Sequence, residues 1–415
     1  MDLVKKAERM GADSAEVFFI EEKEYSFTLI GEQFSKEFSE TRGYGIRVVK
    51  DGRLGFSYFN SESDAEKAIK SALSSSKFSE KLEFDFPEKA EYKKLKTFDR
   101  AVLDFNEEKG AEIRDEIVNA IPKNCSLLEA IFSWGYAKIL LENSNGVHAS
   151  EPSSEFFCHV SAHHADVSGE YSDVSIHPID FAAIAGKASQ LAIDMKNPKT
   201  IDGHFRVVFE HTALLPLLET FLEPAIDGES AMRGASYLCG KLGEAISTEQ
   251  LTVYDNPFKG VAKSAFDGEG YPSVKKNIID KGIFKNFLYD AKTACKMNAE
   301  AGNAVRESYS VPPSIGISNI EIERGKDGNI EDDCIIVHSF FGEHTTNELT
   351  GDFSLQLMIA FDKRNGKNDP VKNVVMSGNF FEMLKNIYAI ENKKSEYANL
   401  ISPRIGFDGV RIAKA

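Results

Sequence analysis

The residues of this 415-residue chain that could do chemistry fall in four places. Cys158-His159 is followed by His163-His164. On a helix, His159 and His163 would lie one turn apart and could share a metal. The surrounding SSEFFCHVSAHHADVSGEYSDVSI reads as strand instead. Residues four apart on a strand share a face at roughly 13 Å, and His163 and His164 face opposite ways. One metal needs its ligands about 2 Å away, so these histidines read as sheet-face residues. Glu210-His211 opens a helix after the strand FRVVFEH. The zinc-peptidase pattern His-Glu-x-x-His would put two imidazoles and a water-activating Glu on one helix face. Here the order is Glu-His and positions 214 and 215 are leucines, which favours a helix-start residue.

The third place is Phe266-Asp267-Gly268-Glu269-Gly270. Two carboxylates among glycines could bind a cation through oxygen or serve acid–base chemistry; the plainer reading is a tight turn with solvated acids. The fourth runs from Phe340-Phe341-Gly342-Glu343-His344-Thr345-Thr346-Asn347 into Thr350-Gly351-Asp352-Phe353-Ser354. Its glycines let a backbone or ligand approach closely; the plainer reading is a turn between two strands. His344, Asp352 and a serine would make a triad only on paper, because no GxSxG nucleophile elbow occurs. Neither a P-loop nor a GxGxxG after a strand is present.

Composition narrows the field. Lys plus Arg is 49 against 65 Asp plus Glu, a net charge of −16, which argues against nonspecific binding to phosphate backbones. No stretch approaches the ~20 apolar residues of a membrane helix, and the start lacks a signal-peptide pattern. The five cysteines, 125, 158, 239, 295 and 334, form no CxxC pair, so free thiols in a reducing cytosol are expected. Trp134 sits in an apolar run and reads as core.

These residues must be positioned by elements whose periodicity is legible. An amphipathic helix carries Leu3, Val4, Ala7 and Met10. Residues 15–59 read as strands, with a hairpin at Lys50-Asp51-Gly52. A helix over 61–77 is capped by Ser61 or Ser63, and a charged linker fills 78–98. A helix near 106–121 follows, then strands 126–134, 136–143, 153–165 and 167–177, with a turn at Asn143-Ser144-Asn145-Gly146, then a helix near 179–196. The remainder is glycine-rich and strand-like, with a helix at 211–223. The expected fold is α+β: an N-terminal domain 1–97, a middle domain 98–200, and a strand-rich C-terminal domain 201–415.

The chain resembles the TldD/PmbA family, also called modulators of DNA gyrase, over nearly its whole length. The resemblance is carried by Gly11-Ala12-Asp13-Ser14-Ala15-Glu16-Val17, Gly43-Tyr44-Gly45-Ile46-Arg47 with Asp51-Gly52-Arg53-Leu54-Gly55-Phe56, and Asn143-Ser144-Asn145-Gly146. It continues through Gly234-Ala235-Ser236-Tyr237-Leu238 with Gly240-Lys241-Leu242-Gly243, Phe266-Asp267-Gly268-Glu269-Gly270 and Ala301-Gly302-Asn303-Ala304. Thr350-Gly351-Asp352-Phe353-Ser354 and Ser377-Gly378-Asn379 complete it.

The resemblance implies a cytoplasmic peptidase whose dimers enclose a proteolytic chamber and take unfolded peptide as an added strand. In the TldD-type subunit it implies zinc on a His-Glu-x-x-x-His helix plus a cysteine near the C-terminus. This chain departs at both places. The helix opens Glu210-His211-Thr212-Ala213-Leu214-Leu215-Pro216, and the cysteine segment reads Leu400-Ile401-Ser402-Pro403-Arg404-Ile405. The implied role is therefore the PmbA-type (TldE) partner, with no metal or catalytic residue of its own and zinc in a TldD-type partner subunit. A homodimer is the alternative state of the isolated chain; no direct nucleic-acid contact and no membrane are expected. Gly342, His344, Asn347 and Asp352, with Asp267 and Glu269, are the expected peptide-binding residues. Two rival readings stand beside it: a hydrolase acting alone through Asp267, Glu269, His338 and His344, and a regulator that binds gyrase or an antitoxin.

Overall fold

Long antiparallel strands dominate the first half of the chain. In the computed structural model, which describes residues 2–342 and 346–415, α1 (Leu3–Arg9) precedes β1 (Ser14–Ile30), β2 (Gln33–Lys50) and β3 (Arg53–Phe59). Asp51 and Gly52 between β2 and β3 both have positive φ, 51° and 71°, as a two-residue type I′ hairpin turn requires. α2 (Ala65–Ser76) lays Ala65, Ala68, Ile69 and Ala72 against Ile46 and Val48. Its entry differs from the serine cap expected. A 3-10 turn, Glu62–Asp64, leads in, and Asp64 precedes the helix without a side-chain cap bond.

Residues 82–99 carry no helix or strand, yet they are held down. Phe84 and Phe86 are buried with Val49 and Ala291, and the Asn143 and Asn145 amides donate to the Pro87 and Phe86 carbonyls. Next come α3 (Glu107–Ala120), β4 (Ser126–Asn143), β5 (His148–His164), β6 (Val167–Ser175) and α4 (Phe181–Asp194). β4 is one strand of 18 residues, not the two expected. Gly135 does not break it, because that position lies over β1, where a Cβ would come 2.7 Å from the Lys23 carbonyl.

The first six strands form one sheet in the order β3-β2-β1-β4-β5-β6. Segments 1–97 and 98–200 thus contribute three strands each, joined where β1 pairs with β4. α3 and α4 cover one face, burying Ile113, Ile117, Ile184 and Ala188 against Phe27, Phe132, Trp134 and Phe156. The Trp134 indole N–H finds the Phe105 carbonyl at 3.1 Å, as a buried indole must find an acceptor.

Beyond β7 (Gly203–Phe209), α5 (His211–Leu217) passes through a π turn, Leu218–Leu222, into Glu223–Ile226. Pro216, which has no N–H for the helical ladder, directly precedes the change of pitch. Five strands then close a ring. β7 pairs in parallel with Ile335–Phe341 and antiparallel with Ile405–Lys414. Ile405–Lys414 pairs with Val374–Asn379, that strand with Asp352–Asp362, and Asp352–Asp362 returns to Ile335–Phe341. A second sheet has Val253–Asp255 and Ile320–Ile322 at its centre. Its Val253, Ile320 and Leu400 share one core with Phe221 of the π turn and Phe209, Phe407 and Ile412 of the ring. The fold is α+β. Among the described residues no helix is long and apolar enough to cross a membrane.

Candidate functional site

Glu16 and Arg47 stand opposite each other on β1 and β2. Arg47 grips both oxygens of Glu16, Nε at 2.8 Å and Nη2 at 2.6 Å, the bidentate geometry that suits guanidinium to carboxylate. Its Nη1 donates to Glu269 Oε1, and the other Glu269 oxygen accepts the Ala291 N–H at 2.7 Å. A second guanidinium, Arg306, donates to Glu16 and to the Gly268 carbonyl. The side chains of Glu16, Arg47, Glu269 and Arg306 are at most 3% exposed. Burial opposes charge on both arginines. For Arg47 the adjoining Glu16 and Glu269 outweigh it and the pKa rises, whereas for Arg306 burial prevails and the pKa falls. Two carboxylates facing two guanidinium groups make the cluster tolerable inside the protein.

Asp267 serves its own loop. One carboxylate oxygen accepts the N–H groups of Glu269 and Tyr271, both at 2.9 Å, and the other accepts that of Ala304 at 3.0 Å. Burial, then the neighbouring Glu269, raises the Asp267 pKa; burial is also the main cause of the rise at Glu269. The acids of the Asp-Gly-Glu-Gly loop are thus not solvated as expected, because the first sheet closes over them. Each of their four oxygens has a donor inside the protein.

Five of the short glycine-containing segments meet at this junction. Gly43 and Gly45 leave room on β2 for Tyr309, whose ring a Cβ at 43 would strike and whose carbonyl a Cβ at 45 would meet at 2.7 Å. Asn143 folds the turn between β4 and β5 by accepting the Asn145 and Val147 N–H groups, and Ser144 Oγ accepts the Ala15 N–H at 2.8 Å. Asn303 donates to the buried Asp255 at 2.6 Å and accepts from Lys276. Sequence reasoning missed Glu16, Arg47 and Arg306 as a set. One signal was available: a lone charge inside an apolar β run, as in SAEVFFI or GIRVV, is buried only if paired.

The hairpin after Ile335–Phe341 brings together a different group. Asn347 accepts the Leu349 and Thr350 N–H groups. Asp352 accepts from Thr350 Oγ1 at 2.7 Å and from Asn379 Nδ2 at 2.9 Å, which hold its carboxyl below the usual range. Asp352 and Asn379 are paired across their strands. Gly342 is nearby in the chain with φ 110°; His344 lies outside the described residues. Among the described residues no hydrogen bond joins Asn347 or Asp352 to Asp267 or Glu269.

A third group forms where α5 begins. His211 Nε2 donates to the Ser402 carbonyl at 2.7 Å. Arg404 binds three carboxylates: Glu210 at 3.0 Å, Glu331 at 2.5 Å, and Glu391 through Nε at 3.0 Å and Nη2 at 2.6 Å. Lys363 adds a second cation to Glu331. His338, whose pKa burial lowers, packs its ring on Phe361; no hydrogen bond among the described residues joins it to Asp267 or Glu269. His159 and His163 bond Ser172 and Ser168, and His164 the Asn124 carbonyl. Among the described residues no three His, Cys, Asp or Glu are placed to hold one metal ion.

Comparison with known proteins places this geometry. The PmbA/TldA metallopeptidase C-terminal domain matches residues 202–414, and domain 1 of the same family matches residues 15–76. An uncharacterized protein of Methanocaldococcus jannaschii is 34% identical over 422 aligned positions, 98% of each chain. A metalloprotease of Archaeoglobus fulgidus is 30% identical over 225 positions, covering 52% of this chain and 49% of that one. The crystal structure of TldE from Thermococcus kodakarensis superposes with a TM-score of 0.88 at 23% identity over 99% of both chains, a likeness of fold.

Proposed function

Because the chain belongs to the TldD/PmbA metallopeptidase family, we propose that it is the subunit without metal in a cytoplasmic peptidase of that kind. Its partner is a TldD-type chain that carries the zinc, and their substrate is unfolded peptide. The observation that carries this reading is the Arg404 node. The resemblance implies zinc ligands at the start of α5 and in the segment 400–405. In this chain those two places touch, through Glu210 with Arg404 and His211 with the Ser402 carbonyl. A guanidinium already neutralises the carboxylates there, and the next turn of α5 supplies Leu214 and Leu215. A catalytic zinc requires about three nitrogen, sulfur or oxygen ligands and an open position. The residues present do not fit one, and no step of a reaction is assigned to them.

This chain's own part is then to build chamber wall and hold peptide. Gly342, His344, Asn347 and Asp352 are proposed to meet the peptide backbone, which would make recognition nearly blind to sequence. Asp267 and Glu269, at the separate junction with Arg47, would keep their loop and the first sheet together. The test is to purify the chain alone and together with a TldD-type protein and to assay cleavage of an unfolded peptide. Cleavage is expected only from the mixture and is abolished by a chelator; cleavage by this chain alone, or one tightly bound zinc per isolated chain, would sink the reading.

A further inference from the structure

The face of the second sheet turned away from the shared core carries one buried acid and an excess of cations. Along Ile320–Ile322 the two isoleucines enter the core, and alternation along the strand sends Glu321 to the opposite face. Tyr254 stands opposite it on one neighbouring strand and Ile401 on the other. The Glu321 side chain is only 4% exposed. Its Oε1 accepts from Lys259 at 3.1 Å and from Lys394 at 3.0 Å. Its Oε2 accepts from Lys275 at 2.5 Å and from Asn256 at 2.8 Å. Burial opposes the charge of Glu321, but these donors hold its carboxyl well below the usual range.

One carboxylate is thus answered by three ammonium groups. A buried carboxylate needs a partner, and one lysine with the Asn256 amide would satisfy it. Two positive charges are left unbalanced, because among the described residues none of the three lysines pairs with a second acid. Lys259 and Lys394 share one oxygen, so like charges are held close together, which is unfavourable by itself. In a chain of net charge −16 this is a local inversion of sign.

Donors remain to be used. An ammonium carries three N–H groups, and Glu321 takes one from each lysine. The side chains of Lys259, Lys275 and Lys394 are 55%, 37% and 24% exposed. Lys275 is fixed further by the Tyr254 ring, 3.7 Å below it. Lys394 also lines an open cleft of about 670 Å³, walled by Glu323, Arg324, Asn392 and Lys393. Glu323 is engaged by the Tyr254 hydroxyl at 2.8 Å, whereas among the described residues Arg324 and Lys393 pair with no carboxylate. On the far side of Lys259, Asp173 and Glu396 balance Lys259 and Lys263 around a second cavity. The excess charge therefore lies on the side of Lys394.

We propose that Lys259, Lys275 and Lys394, gathered by Glu321, form a binding site for a polyvalent oxyanion of the di- or triphosphate class, which extends along the cleft toward Arg324 and Lys393. Lysine is a compact point charge that suits a tetrahedral oxyanion approached from several sides, whereas a lone carboxylate is matched better by the flat fork of arginine. A singly charged anion would leave part of the excess standing. The cleft has the volume of a small-ligand site. Long polyanions are disfavoured, because the acidic surface beyond the patch repels them. An inorganic polyphosphate and the phosphate chain of a nucleotide share this chemistry. The proposal does not depend on the peptidase reading.

The test is titration calorimetry on the full chain, in buffer free of divalent cations, with orthophosphate, pyrophosphate, tripolyphosphate and ATP as probes. One tripolyphosphate is expected per chain, bound more tightly than pyrophosphate or orthophosphate and more weakly as salt is added. ATP bound no more tightly than tripolyphosphate assigns the site to the phosphate chain alone, and ATP bound about tenfold more tightly gives the nucleoside a part; both support the proposal. Lys259→Gln and Lys394→Gln should each weaken tripolyphosphate about fivefold or more, and Lys70→Gln on α2 should not. Each variant leaves Glu321 two lysines, so the fold is kept, and melting temperatures close to that of the unaltered chain verify this. The proposal is overturned by the absence of saturable binding at about 1 mM tripolyphosphate, or by binding that the two variants do not weaken. Tighter binding of poly-glutamate or of a single-stranded oligonucleotide than of tripolyphosphate, lost in Lys394→Gln, also overturns it and assigns the cluster to a macromolecule.

Discussion

Arg47→Met removes one of two guanidinium groups that balance Glu16 and Glu269, and leaves Glu269 buried with a single N–H donor. Breaking a buried pair in this way costs about 3–5 kcal/mol, to be read from urea denaturation. Lys70→Ala, which breaks the exposed pair with Glu66, should cost no more than about 0.5 kcal/mol; equal costs would refute the assignment of the cluster as buried and coupled. Glu223 gives a prediction in pH. Burial first, then Glu219 and Asp255, push its carboxyl from 4.5 up to about 7. A raised acid favours the folded state fully below 4.5, and that contribution is lost as pH climbs from 4.5 to 7. Glu223→Gln cannot ionise. Its melting temperature should match that of the unaltered chain near pH 4 and exceed it near pH 8; a difference that stays constant across this range contradicts the assignment. These residues were poorly legible. Asp267 and Glu269 were found by type, but their partners Arg47 and Arg306 lie far away in sequence, and only folding tells a buried carboxylate from a solvated one.

At the scale of elements, the two glycines of β2 differ in what they accommodate. The atoms nearest a Cβ at Gly43 belong to the ring of Tyr309, whereas at Gly45 the nearest is its carbonyl oxygen. Removing the ring with Tyr309→Ala should therefore recover much of the loss caused by Gly43→Ala, with a coupling of about 1 kcal/mol or more, but little of that caused by Gly45→Ala. Equal coupling at both positions would show that the ring does not lie as described. Local features of the elements could be read directly. The Asp51-Gly52 turn and the place of His211 at the start of α5 depend on neighbours in the chain. The division of β4 at Gly135 was misread because glycine there answers to β1, and the serine cap of α2 because a 3-10 turn intervenes. The π turn after Pro216 left no mark in the apolar spacing of 211–223.

Across the whole molecule, the junction of Glu16, Arg47, Glu269 and Arg306 ties the first sheet to the C-terminal domain. Trp134, the single tryptophan, is buried in the first sheet's core, so its fluorescence reports on that half alone. Fluorescence and far-ultraviolet circular dichroism should trace one coincident urea transition in the unaltered chain. In Arg47→Met the two should separate, because each half then unfolds with less support from the other. Coincident curves in the variant would mean that apolar contacts alone couple the halves. The α+β class was legible from the alternation of elements. That segments 1–97 and 98–200 share one sheet was not, since pairing of β1 with β4 is set by a register no local pattern contains.

The ring of five strands bears on how the chain is made. β7 leaves the ribosome early, yet its two neighbours are Ile335–Phe341 and Ile405–Lys414. During synthesis one of its edges waits for Ile335–Phe341 and the other for Ile405–Lys414, by which time the whole of the second sheet has emerged. The first sheet, whose six strands end at Ser175, can close long before. Pairings so distant in sequence form slowly, so newly made chains carry a finished N-terminal half attached to an open, sticky one. Slowing translation cannot complete that second half, because one edge of its first strand has nothing to bind until Ile405–Lys414 has been released.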